Sequence, residues 1–312
     1  MRKVLSTILL SAVIATGGMA AYPSKTIKII VPSKAGGSTD TTARLFIDAA
    51  KKYWKGADFI VVNKGGAGGL IGFSAEQRAR PDGYTIGMMF TPQFVAHIVS
   101  KKAKYTINSF KVVGNIAEDP GIVVVNSSSS IKTLDDLKAA AKAKTLTAAV
   151  NGIGSDDFLA AKDFEAKTGV HFNLLPTKGS TEQKAAVLGN HVEVAFMNLS
   201  QMLANHKAGK VRIIAVLSKQ RSKIAPKIAT SVEQGYDVLM RATRGMIMSA
   251  KIKKSIQNKI IDLFTKVTND ASFKAKAKKS FIFLDTQDSA TYTKYLENLQ
   301  KATQKVYDKT PW

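Results

Sequence analysis

Residues 29–40 read IIVPSKAGGSTD and decide the fold, because an apolar strand there runs into a glycine-rich loop and the start of a helix. Residues 59–69, FIVVNKGGAGG, repeat that order about thirty residues later. Glycine lets a backbone approach a ligand closely, and the first turn of a helix offers unpaired N–H groups with a partial positive charge. Such loops bind anions, and the βαβ rhythm predicts that both lie at the carboxyl edge of one parallel sheet.

Two short motifs accompany these loops, DTTAR at residues 40–44 and PDGYT at residues 81–85. Together with the loops they resemble the solute-binding receptors of tripartite tricarboxylate transporters, the Bug family, which read approximately GGxTDxxAR, NRPGAGG and PDGYT. The resemblance covers almost all of the chain after its first twenty residues. It implies a two-lobed periplasmic-binding-protein fold of type II character. Each lobe would be a mainly parallel sheet flanked by helices, with the ligand cleft between the lobes.

The division into lobes follows from the pattern along the chain. Short apolar or β-branched runs alternate with helical patterns, which predicts an α/β fold, and from about residue 251 the pattern is mostly helical. With the topology that the resemblance implies, residues 22–120 plus 243–312 form the first lobe and residues 121–242 the second. The chain is expected to cross between them near residues 118–122 and 241–245.

The first twenty residues predict an export signal. Arg2 and Lys3 form a charged start, residues 4–16 are mostly apolar, and residues 18–20 offer small side chains for cleavage near Ala20. The apolar run is too short for a membrane-spanning helix. The chain has no cysteine, which excludes a lipoprotein anchor, disulfides and thiolate metal sites. We therefore expect a periplasmic protein, released after cleavage, that is monomeric and has no cofactor or metal.

The chain is strongly basic, with 46 Lys and Arg against 23 Asp and Glu and a formal net charge of +23. Such a balance is compatible with nucleic acid or a membrane surface as partner. However, the densest lysine clusters, residues 251–254 and 274–279, lie in amphipathic helical patterns without interleaved aromatic residues. Solvated helix faces explain them better, so no nucleic-acid partner is expected. A long-range field that favours anionic solutes or an anionic membrane surface fits the same composition.

In the first loop, the backbone of residues 36–39 and the hydroxyls of Ser38 and Thr39 are the expected contacts for an anion. Asp40 can reach a ligand or form an i,i+4 ion pair with Arg44, and the ion pair is favoured. The second loop fails the dinucleotide fingerprint, because its last glycine is Gly72 where G-x-G-x-x-G requires position 71. The predicted substrate-binding residues of these two loops are Gly36, Gly37, Ser38, Thr39, Asp40, Gly66, Ala67, Gly68 and Gly69.

Turns after later strands supply the other half of the predicted site, namely Gly154, Ser155, Lys178 and Asn198. Each can also be a plain turn or helix cap. Their common placement at the carboxyl ends of successive strands makes them candidate ligand contacts. Lys178 with the following glycine also matches the Tyr-Lys-Gly turn of the family that the chain resembles.

Several positions depart from the family pattern. Ser33 and Lys34 replace an aromatic residue followed by a small residue or proline, Phe158 replaces a histidine, and Thr177 replaces a tyrosine. Residues 243–250, TRGMIMSA, lack the usual tryptophan and the Ala-Pro-x-x-Thr-Pro character. Within that segment, Arg244 can bind a second ligand carboxylate or make a surface or inter-lobe contact.

Asp156 and Asp157 stand side by side at a predicted helix start. The helix dipole explains two acids there, because its N-terminal end carries a partial positive charge. Either side chain can also serve as the acidic partner of an amino group on a ligand. The residues leave both interpretations open.

No catalytic constellation is recognisable, so we do not expect an enzyme. The four histidines show no metal-binding spacing and no G-x-S-x-G elbow occurs. The expected function is an extracytoplasmic receptor that closes around a small organic acid: a di- or tricarboxylate, an aromatic acid or an acidic amino acid. The resemblance implies delivery to a membrane transporter with a large and a small integral subunit. The alternatives are a ligand-sensing receptor for a signalling partner and a basic surface-binding or adhesion protein.

Overall fold

The computed structural model describes residues 22–309 and 311–312, so the predicted export signal lies outside the described residues. Within them, strands and helices alternate over most of the chain. The strands are β1 (Ile27–Val31), β2 (Phe59–Asn63), β3 (Thr85–Phe90), β4 (Phe110–Asn126), β5 (Leu146–Val150), β6 (Phe172–Pro176), β7 (Val194–Asn198), β8 (Val211–Val216), β9 (Arg241–Ser249) and β10 (Leu284–Gln287). The helices are α1 (Ser38–Tyr53), α2 (Leu70–Gln77), α3 (Gln93–Val99), α4 (Leu134–Ala143), α5 (Asp156–Thr168), α6 (Ser180–Leu188), α7 (Leu199–Lys207), α8 (Lys254–Asn269), α9 (Ala271–Lys279) and α10 (Ser289–Lys309).

The long strand β4 is shared by two sheets. The first sheet has the order β2-β1-β3-β9-β4-β10, and the second has the order β6-β5-β7-β4-β8. Strand β1 is parallel to β2 and β3, and β5 is parallel to β6 and β7. All pairings of β4 and β9 are antiparallel. The predicted α/β fold is therefore confirmed, with one correction: the sheets are mixed rather than mainly parallel.

The sheets are mixed because residues 110–126 form one long strand that pairs antiparallel in both sheets. Their central Glu-Asp-Pro-Gly run reads locally as a turn, yet β4 continues through it. Pro120 pairs with Arg241 in β9, and the Gly121 N–H donates to the Met240 carbonyl at 2.8 Å. Both predicted crossing points thus fall in this pair of antiparallel strands. The division of the chain into two lobes at residues 120–121 and 242–243 stays a prediction.

Helices cover both faces of each sheet, and the apolar side chains between the layers form the cores. On the first sheet, Phe46, Phe264 and Phe273 fill one face, and Phe73, Phe94 and Tyr292 fill the other. On the second sheet, Leu137 and Phe164 lie on one side and Val187 and Met202 on the other. Among the described residues, none of these helices combines the length and apolar character that a membrane span requires.

Candidate functional site

A cleft of about 750 Å³, counted with its part open to solvent, lies between loops of the two sheets. Strands β1, β2 and β3 end in loops on one side of it, and elements of the second sheet form the opposite side. The residues of the first sheet that line it include Ser33, Lys34, Gly37, Ser38, Thr39, Gly66, Gly68, Gly69, Thr91, Gln93 and Arg244. Those of the second include Asn151, Asp156, Lys178, Gly179, Ser180, Thr181, Glu182, Asn198 and Gln201.

The two glycine-rich loops lie side by side, as their sequences predict. Strands β1 and β2 are parallel neighbours, with Val31 opposite Asn63 at their carboxyl ends. The Asn63 Nδ2 donates to the Ser33 carbonyl at 3.2 Å and to Asp40 Oδ1 at 3.0 Å. These hydrogen bonds tie the loops together, so both present backbone to the same cleft.

Helix α1 begins at the cleft with an open N-terminus. Its N-cap is Gly37, which supplies no side-chain hydrogen bond, and Ser38 and Thr39 form its first turn. All three residues line the cleft. Unpaired N–H groups at a helix start attract anions through hydrogen bonding and through the helix dipole. This end of the cleft is therefore suited to a carboxylate.

Asp40 shapes the first loop rather than lining the cleft. Its carboxylate accepts from the Gly36 N–H at 2.9 Å and from Arg44 Nε at 2.9 Å, besides Asn63. Burial raises the pKa of Asp40, but these hydrogen bonds and the Arg44 charge outweigh it and hold the pKa below its usual range. The favoured i,i+4 ion pair is thus present. Gly36, whose N–H is used inside the loop, lines an adjoining pocket instead of the main cleft.

The second loop reaches the cleft through Gly66, Gly68 and Gly69. Gly68 has a φ of 60°, and a Cβ there would lie 3.3 Å from Nε2 of His97. That nitrogen also donates to the Gly68 carbonyl at 3.0 Å. His97 thus stabilises the conformation of the second loop. The sequence carried no sign of this role, because the histidines were compared only with metal-binding spacings. Ala67 lines an adjoining pocket instead of the main cleft.

A buried ion pair links β9 to β4 beside the cleft. The Arg244 Nη2 lies 2.9 Å from Asp119 Oδ2, and the two side chains are only 5% and 1% exposed. Asp119 also accepts from the Ser200 N–H at 3.0 Å. Arg244 therefore lines the cleft and bridges β9 to β4 within the first sheet, and its binding of a second ligand carboxylate stays a prediction.

Asp156, in the first turn of α5, also lines the cleft. Its Oδ2 accepts from the Asn198 Nδ2 at 2.5 Å, and the side chain is buried. Burial raises the pKa of Asp156 to about 6; the Asn198 hydrogen bond and the Arg244 charge lower it, and the Asp119 charge raises it. Asn198 lines the cleft as predicted, and its amide holds Asp156.

Asp157 does not line the cleft, although it is the next residue along α5. Its Oδ2 accepts from the Gln183 Nε2 at 3.1 Å and from the Asn151 N–H at 3.3 Å. Burial and the neighbouring Asp156 charge raise the pKa of Asp157 well above its usual range. The two adjacent acids thus occupy different environments, and Asp156 alone of the two can meet a ligand.

Two predicted contacts, Gly154 and Ser155, are not among the cleft-lining residues. Ser155 Oγ accepts from the Phe158 N–H at 3.0 Å and so caps α5. A Cβ at Gly154 would lie 3.1 Å from Ala96 Cβ, so the glycine permits close approach of α3. Lys178, by contrast, is exposed and lines the cleft as predicted.

The loop after β3 and the first turn of α3 add two cleft-lining residues that no sequence motif indicates, Thr91 and Gln93. Thr91 Oγ1 lies 2.7 Å from Thr243 Oγ1, which lies 2.7 Å from the Tyr292 hydroxyl, so a buried hydrogen-bonded chain fixes this loop. Gln93 is only 2% exposed, and its Oε1 has no hydrogen-bond partner among the described residues. Their position directly after a third parallel strand of the same sheet is the signal that would have found them.

One ion pair crosses the cleft at its rim. Lys34 Nζ, in the first loop, lies 2.7 Å from Glu182 Oε1 on α6. Glu182 is itself held by the Lys178 N–H, which donates to Oε2 at 3.0 Å. The pair neutralises Lys34, the cation that stands in the first loop where the family pattern has a small residue or proline.

Comparisons with known proteins agree with this geometry. A model of the tripartite tricarboxylate transporter family receptor matches residues 43–309. Protein BugT of Bordetella pertussis is 32% identical over 269 residues, which are 83% of this chain and 81% of that protein. A solved structure of a periplasmic transporter is 27% identical, with a TM-score of 0.86 over 93% of this chain and 99% of its own. MatC of Rhodopseudomonas palustris, solved with bound malate, is 19% identical with a TM-score of 0.85 over 91% and 99%, so it shares the fold.

Proposed function

We propose, since this chain belongs to the tripartite tricarboxylate transporter receptor family, that it captures a small organic acid in the cleft and delivers it to a tripartite membrane transporter. Proteins of this family are substrate-binding receptors rather than enzymes, which confirms the prediction that the chain is not an enzyme. They are periplasmic, and we place this chain in the same compartment. Its export signal and its monomeric state are part of the proposal.

The observation that carries the proposal is the open start of α1 at the cleft. Gly37 gives no side-chain cap, and the second glycine-rich loop lies beside it. A carboxylate at this position would accept from the free N–H groups and gain from the helix dipole. MatC, which has the same fold, holds a dicarboxylate, and this supports an organic acid as the ligand class.

Capture is proposed to work by closure of the two sides of the cleft. Strands β4 and β9 connect them, and the Lys34–Glu182 pair and the Gly37–Ser180 approach meet across the cleft. A ligand favours the closed form only through contacts that are stronger there than in the open form. An acid bound at α1 that also touches the second sheet meets this condition.

Replacing Gly37 by valine tests the carboxylate position. A Cβ at Gly37 would lie 3.5 Å from the Lys34 carbonyl and 3.9 Å from Ser180 Oγ, and the φ of −77° suits any residue. The fold should therefore be kept while the branched side chain blocks the helix start. We expect binding of the best acid, measured by calorimetry, to weaken at least about tenfold, and Gly37→Ala to have a smaller effect.

Gly68→Val is a poorer test, since its backbone conformation disfavours side chains with a Cβ. Unchanged affinity in a folded Gly37→Val protein would contradict the proposed position.

Delivery is tested separately: a reconstituted tripartite transporter should take up the labelled acid only when this receptor is added. Uptake that does not depend on the receptor would favour a sensor role instead.

A further inference from the structure

Two of the cations that line the cleft are paired with acids. Arg244 is neutralised by Asp119 at 2.9 Å, and Lys34 by Glu182 at 2.7 Å. Asp156 is different, because no basic nitrogen of the described residues forms a salt bridge with it within 4.0 Å. The cleft thus contains one buried acid whose only side-chain hydrogen-bond donor, among the described residues, is a neutral amide.

The helix dipole accounts for an acid at this position but not for its burial. Asp156 is only 2% exposed, and the amide of Asn198 that donates to it also accepts from the Gln201 Nε2 at 3.0 Å. Removing a carboxylate from water is costly unless a cation or several donors replace the water. A cation that enters the cleft with a ligand would compensate that cost.

Gln93 gives a second, independent indication of the same chemistry. It is the first residue of α3, on the other side of the cleft, and is 2% exposed. Its Oε1 is an acceptor without a donor among the described residues. Buried acceptors are rarely left unpaired. An ammonium has three N–H donors, so one that reached both Gln93 and Asp156 would satisfy each of them.

We propose that the ligand is an amino acid, whose carboxylate lies at the start of α1 and whose ammonium contacts Asp156 and the Gln93 Oε1. This inference rests on the proposed receptor function and narrows its ligand class. Di- and tricarboxylates without an amine are then poorer ligands, since Arg244 is already matched by Asp119 and an additional carboxylate would face Asp156. The exposed Lys178 at the rim remains available for an acidic side chain.

Matched ligand pairs that differ only by the amine test the inference. Aspartate is compared with succinate, glutamate with glutarate, and alanine with propionate, by calorimetry on protein stripped of bound ligand. We expect the amine member of at least one pair to bind at least about tenfold tighter. In Asp156→Asn, which keeps an acceptor for Asn198, that preference should fall at least about tenfold.

The matched control is Asp157→Asn, which removes the neighbouring acid outside the cleft and should keep the preference. Tighter binding of succinate or glutarate than of its amino counterpart to the wild-type protein would overturn the inference and leave the proposed function standing. Binding of none of these acids would count against the proposed function itself. Should Asp156→Asn fail to fold, the ligand pairs on the wild-type protein still decide.

Discussion

Replacing Arg244 by alanine is expected to lower the free energy of unfolding by about 3–5 kcal/mol. The guanidinium and the Asp119 carboxylate are 2.9 Å apart and almost fully buried. Without Arg244, the buried Asp119 carboxylate would keep, among the described residues, only the hydrogen bonds from the N–H and the hydroxyl of Ser200. An unpaired buried charge is far more costly than the loss of a solvated one. Urea unfolding followed by circular dichroism measures the difference.

A matched control lies three residues away in the same strand. Arg241 contacts Glu118 at 2.6 Å, but these side chains are 45% and 28% exposed. Since exposed pairs contribute little, Arg241→Ala should cost only about 0–1 kcal/mol. The double variant Asp119→Leu with Arg244→Met should recover part of the loss, because it removes both charges. Equal losses in the two single variants would contradict the special role of the buried pair.

Replacing Glu76 by glutamine is expected to change how stability depends on pH. Glu76, on α2, is buried against β3, where a Cβ at Gly87 would lie 2.8 Å from its Cγ. Neither of its carboxyl oxygens has a hydrogen-bond partner among the described residues. Burial raises the pKa of Glu76 from 4.5 to about 8. Glutamine keeps the shape of the side chain and cannot ionise.

The sign of the effect follows from proton binding. Between pH 4.5 and about 8 the unfolded chain has lost the Glu76 proton while the folded protein keeps it, so stability falls as the pH rises through this window. Above it, the accumulated loss is on the order of 5 kcal/mol, because each unit of pKa difference corresponds to about 1.4 kcal/mol. Glu76→Gln should therefore match the wild type near pH 4.5 and exceed it by several kcal/mol at pH 8.5.

Denaturant unfolding at a series of pH values measures this difference. The control is Glu297→Gln, which removes an exposed carboxyl from α10 and should leave the pH dependence of the wild type unchanged. A Glu76→Gln curve that runs parallel to the wild type over the whole range would show that Glu76 ionises freely in the folded protein. That result would contradict its burial without a partner.

The parts of the fold that depend on local order could be predicted from the sequence. The strand-loop-helix units at residues 29–40 and 59–69 set the α/β class and the meeting of both loops at one edge. The course of β4 could not be predicted, because Glu118-Asp119-Pro120-Gly121 resembles a turn. Its acids are matched by Arg241 and Arg244, more than a hundred residues away, and such long-range pairing leaves no local signal.

In the candidate site, too, features encoded locally could be predicted and those that depend on long-range packing could not. Gly37, Ser38 and the second loop line the cleft because their backbone geometry is encoded locally. Whether Asp156 or Asp157 meets the cleft depends on how α5 packs against Asn198 and Gln183, which spacing along the chain does not reveal. Gln93 was missed because a lone glutamine carries no motif, although its place after β3 shares the logic of the other loops.

Binding of a small organic acid in the cleft can be tested by a thermal-shift screen. Protein stripped of bound ligand by partial unfolding is heated with mono-, di- and tricarboxylates, aromatic acids and amino acids. A ligand at about a hundred times its dissociation constant should stabilise the native state by about 2.7 kcal/mol. We expect a selective upward shift of the melting temperature with one class of acids. No shift with any acid, together with salt-sensitive binding to anionic lipid vesicles, would contradict it and favour a basic surface-binding protein.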